Sequence, residues 1–229
     1  MRITILYDNE TTSVNFVADW GFACLVEARG RTVLFDTGAN GRILLGNMQE
    51  LGVDPARIDT VVISHAHWDH TGGLHDFLTH SSDVTLYVPA SVSRSFPARE
   101  TITVTDALPL GNGFHSTGEL NHIEQSLIVK SGTGVIVITG CSHSGVDTIL
   151  DVAASYGKVR ALIGGFHGFA DFQRLNDIDV ISATHCTQHI GSIRELYPQQ
   201  FKRGGVGTVL RFDEEGILTE HGIAKRIKH

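Results

Sequence analysis

The chain has 229 residues, 41% hydrophobic and 19% charged, with a net charge of −7 when histidine is neutral. That balance excludes a disordered or fibrous chain and leaves room for a layered core with a cleft. An acidic total also argues against broad nucleic-acid binding, which needs a basic face.

The first element is a strand candidate, Arg2 to Tyr7, ended by Asp8-Asn9, and residues 11–21 read as irregular. Residues 22–27 and 32–35 flank Arg29-Gly30-Arg31 as a hairpin, and the second strand ends in Asp36-Thr37-Gly38. Residues 41–51 carry Ile43, Leu44, Met48 and Leu51 at near-helical spacing, with Gly52 as the stop. Thr60-Val61-Val62-Ile63 is short, β-branched and uninterrupted, so it reads as a buried strand. At its end stand His65, His67, Asp69 and His70, four metal-ligand types within six residues. Alternation in extended chain points His65 and His67 the same way, so they can share one ion. After a turn at Trp68, Asp69 and His70 are free to face a second. Gly72 and Gly73 are expected to let the backbone bend before a helix carrying Leu74, Phe77 and Leu78, with Thr71 as its N-cap.

Residues 84–88 form the next strand. Residues 89–122 are the least legible, with a short strand expected at 101–105 and a turn at Gly111-Asn112-Gly113. A second hairpin joins 126–130 to 135–139 through Ser131-Gly132-Thr133-Gly134. A helix follows over 146–156, strands over 159–163 and 179–183, a helix over 190–196 and a late strand over 206–212. Asp213-Glu214-Glu215 reads as a solvated turn, and Lys225, Arg226 and Lys228 as a solubilising basic end. No Pro/Gly/Ser linker divides the chain, so residues 1–229 are expected to be a single domain. Strand ends keep supplying ligand types: Asp36, the 65–70 cluster, Cys141 and His143, His167, and His185. Taken singly, each is an ordinary turn or core residue. The repeated pattern of apolar strand, ligand, then Gly or Ser singles out His143 and His185, and Cys141 and His167 less strongly.

Phe35-Asp36-Thr37-Gly38, His65-x-His67-x-Asp69-His70 and Thr71-Gly72-Gly73-Leu74 resemble the metallo-β-lactamase superfamily. Tyr7-Asp8-Asn9-Glu10, Gly140-Cys141-Ser142-His143, Gly164-Gly165-Phe166-His167 and His185-Cys186-Thr187 resemble one branch, proteins like the dihydropterin-linked ribofuranosylaminobenzene phosphate synthase. The likeness runs from about residue 3 to 212. It implies an α/β fold, the four-layer αββα sandwich, with metals along one sheet edge. Carried over, His65, His67 and His143 would bind a first metal and Asp69, His70 and His185 a second, with Asp36 orienting the His loop. Three positions depart from the pattern. Cys141 stands where many members have a bridging Asp, and is either a thiolate ligand or a bystander. His122 competes with His143 for the first metal. Trp20 replaces a His that the branch often shows.

The resemblance implies a hydrolase that uses two divalent ions, Zn²⁺ first, with Mn²⁺ or Fe²⁺ as alternatives. A water of lowered pKa would then attack a phosphoester, pterin- or nucleotide-like by the branch resemblance. Asp69 could bind metal and orient that water, and His167 is a candidate for substrate binding or proton delivery. A lactone, thioester or lactam is the alternative substrate, and a non-catalytic metal-binding protein the alternative class. A flavodiiron redox protein fits less well, because that pattern has Glu where His67 stands. The partner expected is a small-molecule substrate, with a homodimer implied by the superfamily alone. Three scattered cysteines, no secretory-leader pattern and no apolar run of membrane length lead to a cytoplasmic expectation.

Overall fold

The structure is a computed structural model that describes residues 1–92, 94–132 and 134–224. Thr133 of the second hairpin and the basic end at Lys225, Arg226 and Lys228 lie outside the described residues.

The first sheet is built from β1 (Arg2–Tyr7), β2 (Ala23–Ala28), β3 (Arg31–Phe35), β4 (Thr60–Val62), β5 (Thr85–Pro89), β6 (Glu100–Val104), β13 (Thr208–Phe212) and β14 (Leu218–Ile223). Its order is β14-β13-β1-β2-β3-β4-β5-β6, antiparallel up to β3 and parallel from β3 to β6. The second contains β7 (Leu108–Gly111), β8 (Phe114–Ser116), β9 (Leu127–Ser131), β10 (Gly134–Thr139), β11 (Lys158–Gly165) and β12 (Val180–Thr184), in the order β12-β11-β10-β9-β8-β7. Here β10, β11 and β12 are parallel.

Three apolar layers explain why the central strands read as continuous hydrophobic runs. Alternate residues serve opposite faces. Cys24 and Val26, Val33 and Phe35, and Val62 pack between the sheets against Leu127, Val129, Ile136, Ile138 and Ile163. Their neighbours Leu25, Leu34 and Val61 pack outward under α1 (Gly41–Glu50) and α3 (Leu74–His80), through Leu44, Met48, Leu74 and Phe77. On the far side Val135, Val137, Leu162 and Ile181 lie under α4 (Val146–Ala154) and α5 (Ile190–Leu196), through Val146, Ile149 and Ile193. Helix, sheet, sheet, helix is the αββα sandwich expected. Among the described residues no helix is long and apolar enough to cross a membrane.

Parallel pairing carries this fold to function. The C-terminal ends of β3 and β4 lie side by side, and those of β10, β11 and β12 do likewise in the facing sheet. Every ligand type that followed a strand in the sequence is therefore delivered to one edge. Four residues just past those strands have left-handed backbone: Asp36 (φ 57°), Ser142 (φ 59°), His167 (φ 45°) and His185 (φ 51°). For residues other than glycine this costs on the order of 1–3 kcal/mol each, and such residues gather at functional sites.

Local expectations were revised in three places. The His cluster continues into a four-residue helix, α2 (Trp68–Thr71), so Thr71 does not cap α3; its hydroxyl donates to the His67 carbonyl at 3.1 Å, and Gly73 precedes α3. Gly72 and Gly73 form the expected turn between α2 and α3, but with right-handed backbone, φ of −63° and −80°, that does not itself require glycine. Their small size is what the packing uses: a Cβ at Gly73 would lie 2.2 Å from the Thr37 carbonyl oxygen, and one at Gly72 2.1 Å from that of Ala39. Strand β14 escaped notice because most of its side chains are exposed and show no apolar alternation. Gly73→Ala is expected to cost about 1–3 kcal/mol through overpacking and to lower the thermal midpoint by several degrees. Gly46→Ala, on the open face of α1 where a Cβ meets nothing within 4 Å, is expected to leave it unchanged or raise it. Thermal unfolding of both variants checks the contrast.

Candidate metal centre

Asp36 leaves β3 and reaches across to the end of β4. One carboxylate oxygen accepts from Ser64 N at 2.6 Å; the other accepts from Ser64 Oγ at 2.7 Å and from His70 Nδ1 at 2.7 Å. All of this is fully buried. With the Ser64 hydroxyl committed to Asp36, His65 Nδ1, 2.8 Å from Ser64 Oγ, must donate to it. Hydrogen-bond logic thus places the proton on Nδ1 of both His65 and His70 and leaves Nε2 of each with a free lone pair. Gly140, at the end of β10, fits over this network because it lacks a side chain: a Cβ there would stand 2.2 Å from Ser64 Oγ.

A second carboxylate does the same for β12. Asp8, buried after β1, accepts from Gly205 N at 2.9 Å, from His185 N at 3.2 Å and from the Thr184 hydroxyl. The next residue, Asn9, accepts from His185 Nδ1 at 3.1 Å and returns a bond from Nδ2 to the His185 carbonyl at 3.0 Å. His185 is left with its Nε2 lone pair free as well.

Two sets of donors result. His65, His67 and His143 bring one ligand atom each to within 4.8 Å of one another, and so do Asp69, His70, Cys141 and His185. In the first set His65 Nε2 lies 3.1 Å from His67 Nδ1, and His143 Nε2 is buried with no hydrogen-bond partner. In the second, His70 Nε2 lies 3.1 Å from Cys141 Sγ and 3.2 Å from His185 Nε2. Asp69 Oδ2 is 3.4 Å from His185 Nε2 and 3.7 Å from His70 Nε2. The sets adjoin, with the His65 and His70 rings 4.2 Å apart.

The electrostatics suit a cation. Burial holds His65 and His70 well below the usual imidazole range and lowers His143 as well, with neighbouring imidazoles adding to it, which favours neutral rings able to coordinate. Burial pushes Asp36 up to about 8 even though Ser64 bonds it twice. A divalent charge among the adjacent donors would draw it back into its ionised form. A hydrogen bond with Cys186 and burial raise the Cys141 thiol, which only a positive partner would hold as thiolate. The orphaned His143 nitrogen, the converging lone pairs and the soft thiol therefore fit metal.

The remaining candidates separate cleanly. His122 is exposed, left-handed (φ 57°) and outside both donor sets; Glu124, two residues on, turns inward instead, bridges to His65 and accepts from Ser144 N and Oγ at 2.7 Å. His167 is exposed and also outside both sets, with its ring 4.9 Å from that of His143. Asn9, Ser64 and Glu124 were missed as site residues. Their one sequence signal was position beside a strand end or ligand.

A family model for the metallo-β-lactamase superfamily matches residues 21–185. The chain belongs to that superfamily. Among its relatives it is similar to the 7,8-dihydropterin-6-methyl-4-(β-D-ribofuranosyl)-aminobenzene-5′-phosphate synthase of Methanocaldococcus jannaschii, at 24% identity over 260 aligned positions covering 83% of this chain and 88% of the relative. It is similar in fold to a crystallised metal-dependent hydrolase of the β-lactamase superfamily, with TM-score 0.77, 24% identity, and coverage of 93% of this chain and 99% of that one. A diphosphatase of the PhnP family matches less closely, with TM-score 0.59, 18% identity, and coverage of 92% and 97%. At these identities the solved structures establish the superfamily's sandwich fold.

Deleting the Asp36 carboxylate with Asp36→Ala is expected to weaken metal binding by about 10- to 100-fold, the usual cost of losing a partner that orients a ligand. His67→Ala, which removes a donor outright, is expected to abolish binding at the first set. Metal content after dialysis, by elemental analysis, distinguishes both from a neutral control.

Proposed function

We propose that the chain is a hydrolase that uses two divalent ions, one in each donor set, with zinc as the first choice and Mn²⁺ or Fe²⁺ as alternatives. The observation that carries this reading is the convergence of two adjoining donor sets in which the hydrogen-bond partners of His65, His70 and His185 leave the inward Nε2 of each ring able to coordinate. His65, His67 and His143 would hold the first ion; Asp69, His70, Cys141 and His185 would hold the second. Cys141 weights the choice toward zinc, since thiolate and imidazole suit it better than they suit manganese.

When bound, the ions would supply a water of near-neutral pKa and would polarise the electrophile's oxygen. The chain's own residues do the rest. Asp36 and Asn9 fix the ring orientations of His70 and His185. Asp69 orients the nucleophile. His167, exposed with its ring 4.9 Å from that of His143, would pass a proton to the leaving group.

A phosphoester of pterin- or nucleotide-like character is the proposed substrate, supported by the phosphate in the name of the archaeal relative and by the diphosphatase among the fold neighbours. That relative is named a synthase, which favours a second reading: group transfer at the same centre to an acceptor other than water. Lactone, thioester and lactam hydrolysis are competing uses of the fold.

Metal-loaded protein offered bis(p-nitrophenyl) phosphate, a thioester and a lactone is expected to turn over the phosphodiester fastest, and to lose that activity with a chelator. Fastest turnover of the thioester or lactone would move the assignment to acyl transfer. Two bound ions with no turnover on the panel would contradict the hydrolase reading.

A further inference from the structure

The chain has two tryptophans, and neither is in the core: Trp20 is 49% exposed and Trp68 63%. Trp20 belongs to the irregular strap between β1 and β2, which is tied down around the second donor set. Asp19 Oδ2 accepts from Tyr7 Oη at 2.6 Å, Gly21 N donates to Asn9 Oδ1 at 3.2 Å, and Phe22 N donates to the Asp69 carbonyl at 3.3 Å. Gly21 lets the strap come this close, since a Cβ there would lie 2.5 Å from the Asp69 carbonyl oxygen. The strap therefore carries the indole to the metal centre on a fixed backbone.

The indole meets the centre with its one polar atom. Nε1 donates to Asp69 Oδ2 at 2.9 Å, and the ring centroid is 5.2 Å from that of His185. Oδ2 is the Asp69 oxygen that faces His70 and His185. Trp20 thus touches two of the four second-set donors, and binds one through the atom that would coordinate. An indole nitrogen donates but cannot accept or ligate, so this contact directs Asp69 without competing for the ion. Asp69 sits on the four-residue helix α2 and is buried, so the indole N–H supplies its carboxylate with a fixed partner.

We infer that Trp20 is a positioning residue for the second metal ion, its indole N–H holding the Asp69 carboxylate in the coordinating rotamer. The inference rests on the two-ion reading above. Partners that orient a ligand are worth about 10- to 100-fold in metal affinity, so the loss should fall on the second ion and spare the first.

The test is a zinc titration of metal-free protein against a chromophoric chelator, comparing wild type, Trp20→Phe and Trp20→Ala. Trp20→Phe keeps an aromatic ring and deletes the N–H. Both variants are expected to bind the second ion about 10- to 100-fold more weakly and the first as wild type does. Wild-type affinity at both sites in Trp20→Phe overturns the inference. So does a loss confined to Trp20→Ala, which would make the contact one of packing, or an equal loss at both ions. In a Trp68→Phe background Trp20 is the sole indole, and its emission is expected to change with the second zinc equivalent. A response complete at the first equivalent, or none, counts against the assignment even if Trp20→Phe folds poorly. Uptake of a single ion by wild type is a separate result that refutes the two-ion reading itself.

Discussion

The buried carboxylate of Asp36 is the constraint on which the centre depends. It ties the ends of two parallel strands together through Ser64 and reaches His70 with the same oxygen that takes the Ser64 hydroxyl. It fixes one imidazole directly and a second, His65, through one hydroxyl. A left-handed backbone at Asp36 and ionisation of so buried a carboxyl are both unfavourable by themselves. They persist because three donors converge on the carboxylate and because the neighbouring donors are arranged for a cation.

Asp8 repeats the arrangement in the facing half of the molecule. It binds the end of β12 as Asp36 binds the end of β4, and Asn9 then sets the tautomer of His185 as Asp36 sets that of His70. Among the described residues the two sheets share no ladder; the apolar layer between them, with side-chain bonds such as Arg31 Nη1 to the Leu110 carbonyl at 2.6 Å, sets their relative placement. These carboxylates convert that non-directional packing into ligand positions defined to a fraction of an ångström.

Much of this was legible in the sequence, for a physical reason. His65, His67, Asp69 and His70 are contiguous, so local geometry alone brings them together. His143 and His185 followed from a rule that parallel sheets enforce, that strand ends share an edge. Cys141 could be placed but not assigned, since whether its sulfur faces the donors depends on the packing of β10 against β4 across the sandwich. Asn9, Ser64 and Glu124 were not legible as site residues: their roles are hydrogen bonds to partners as much as 176 positions away, and each residue type is common at turns. His122 was a competitor through the family resemblance, and lies outside both donor sets because the chain there turns it out and brings Glu124 in. The expectation for Thr71 as a cap failed because the chain runs through it as α2, while the turn at Gly72 and Gly73 was legible but not its reason, the close approach to the Thr37 and Ala39 carbonyls.

Membership of the metallo-β-lactamase superfamily fixes the architecture but leaves open how this member's centre is populated, and that is the claim most in need of a direct test. Anomalous diffraction at the zinc edge from crystals of the metal-loaded protein is the most direct measurement. Two peaks are expected, one enclosed by His65, His67 and His143 and the other by Asp69, His70, Cys141 and His185. A single peak, or density on His122 in place of His143, would contradict the claim.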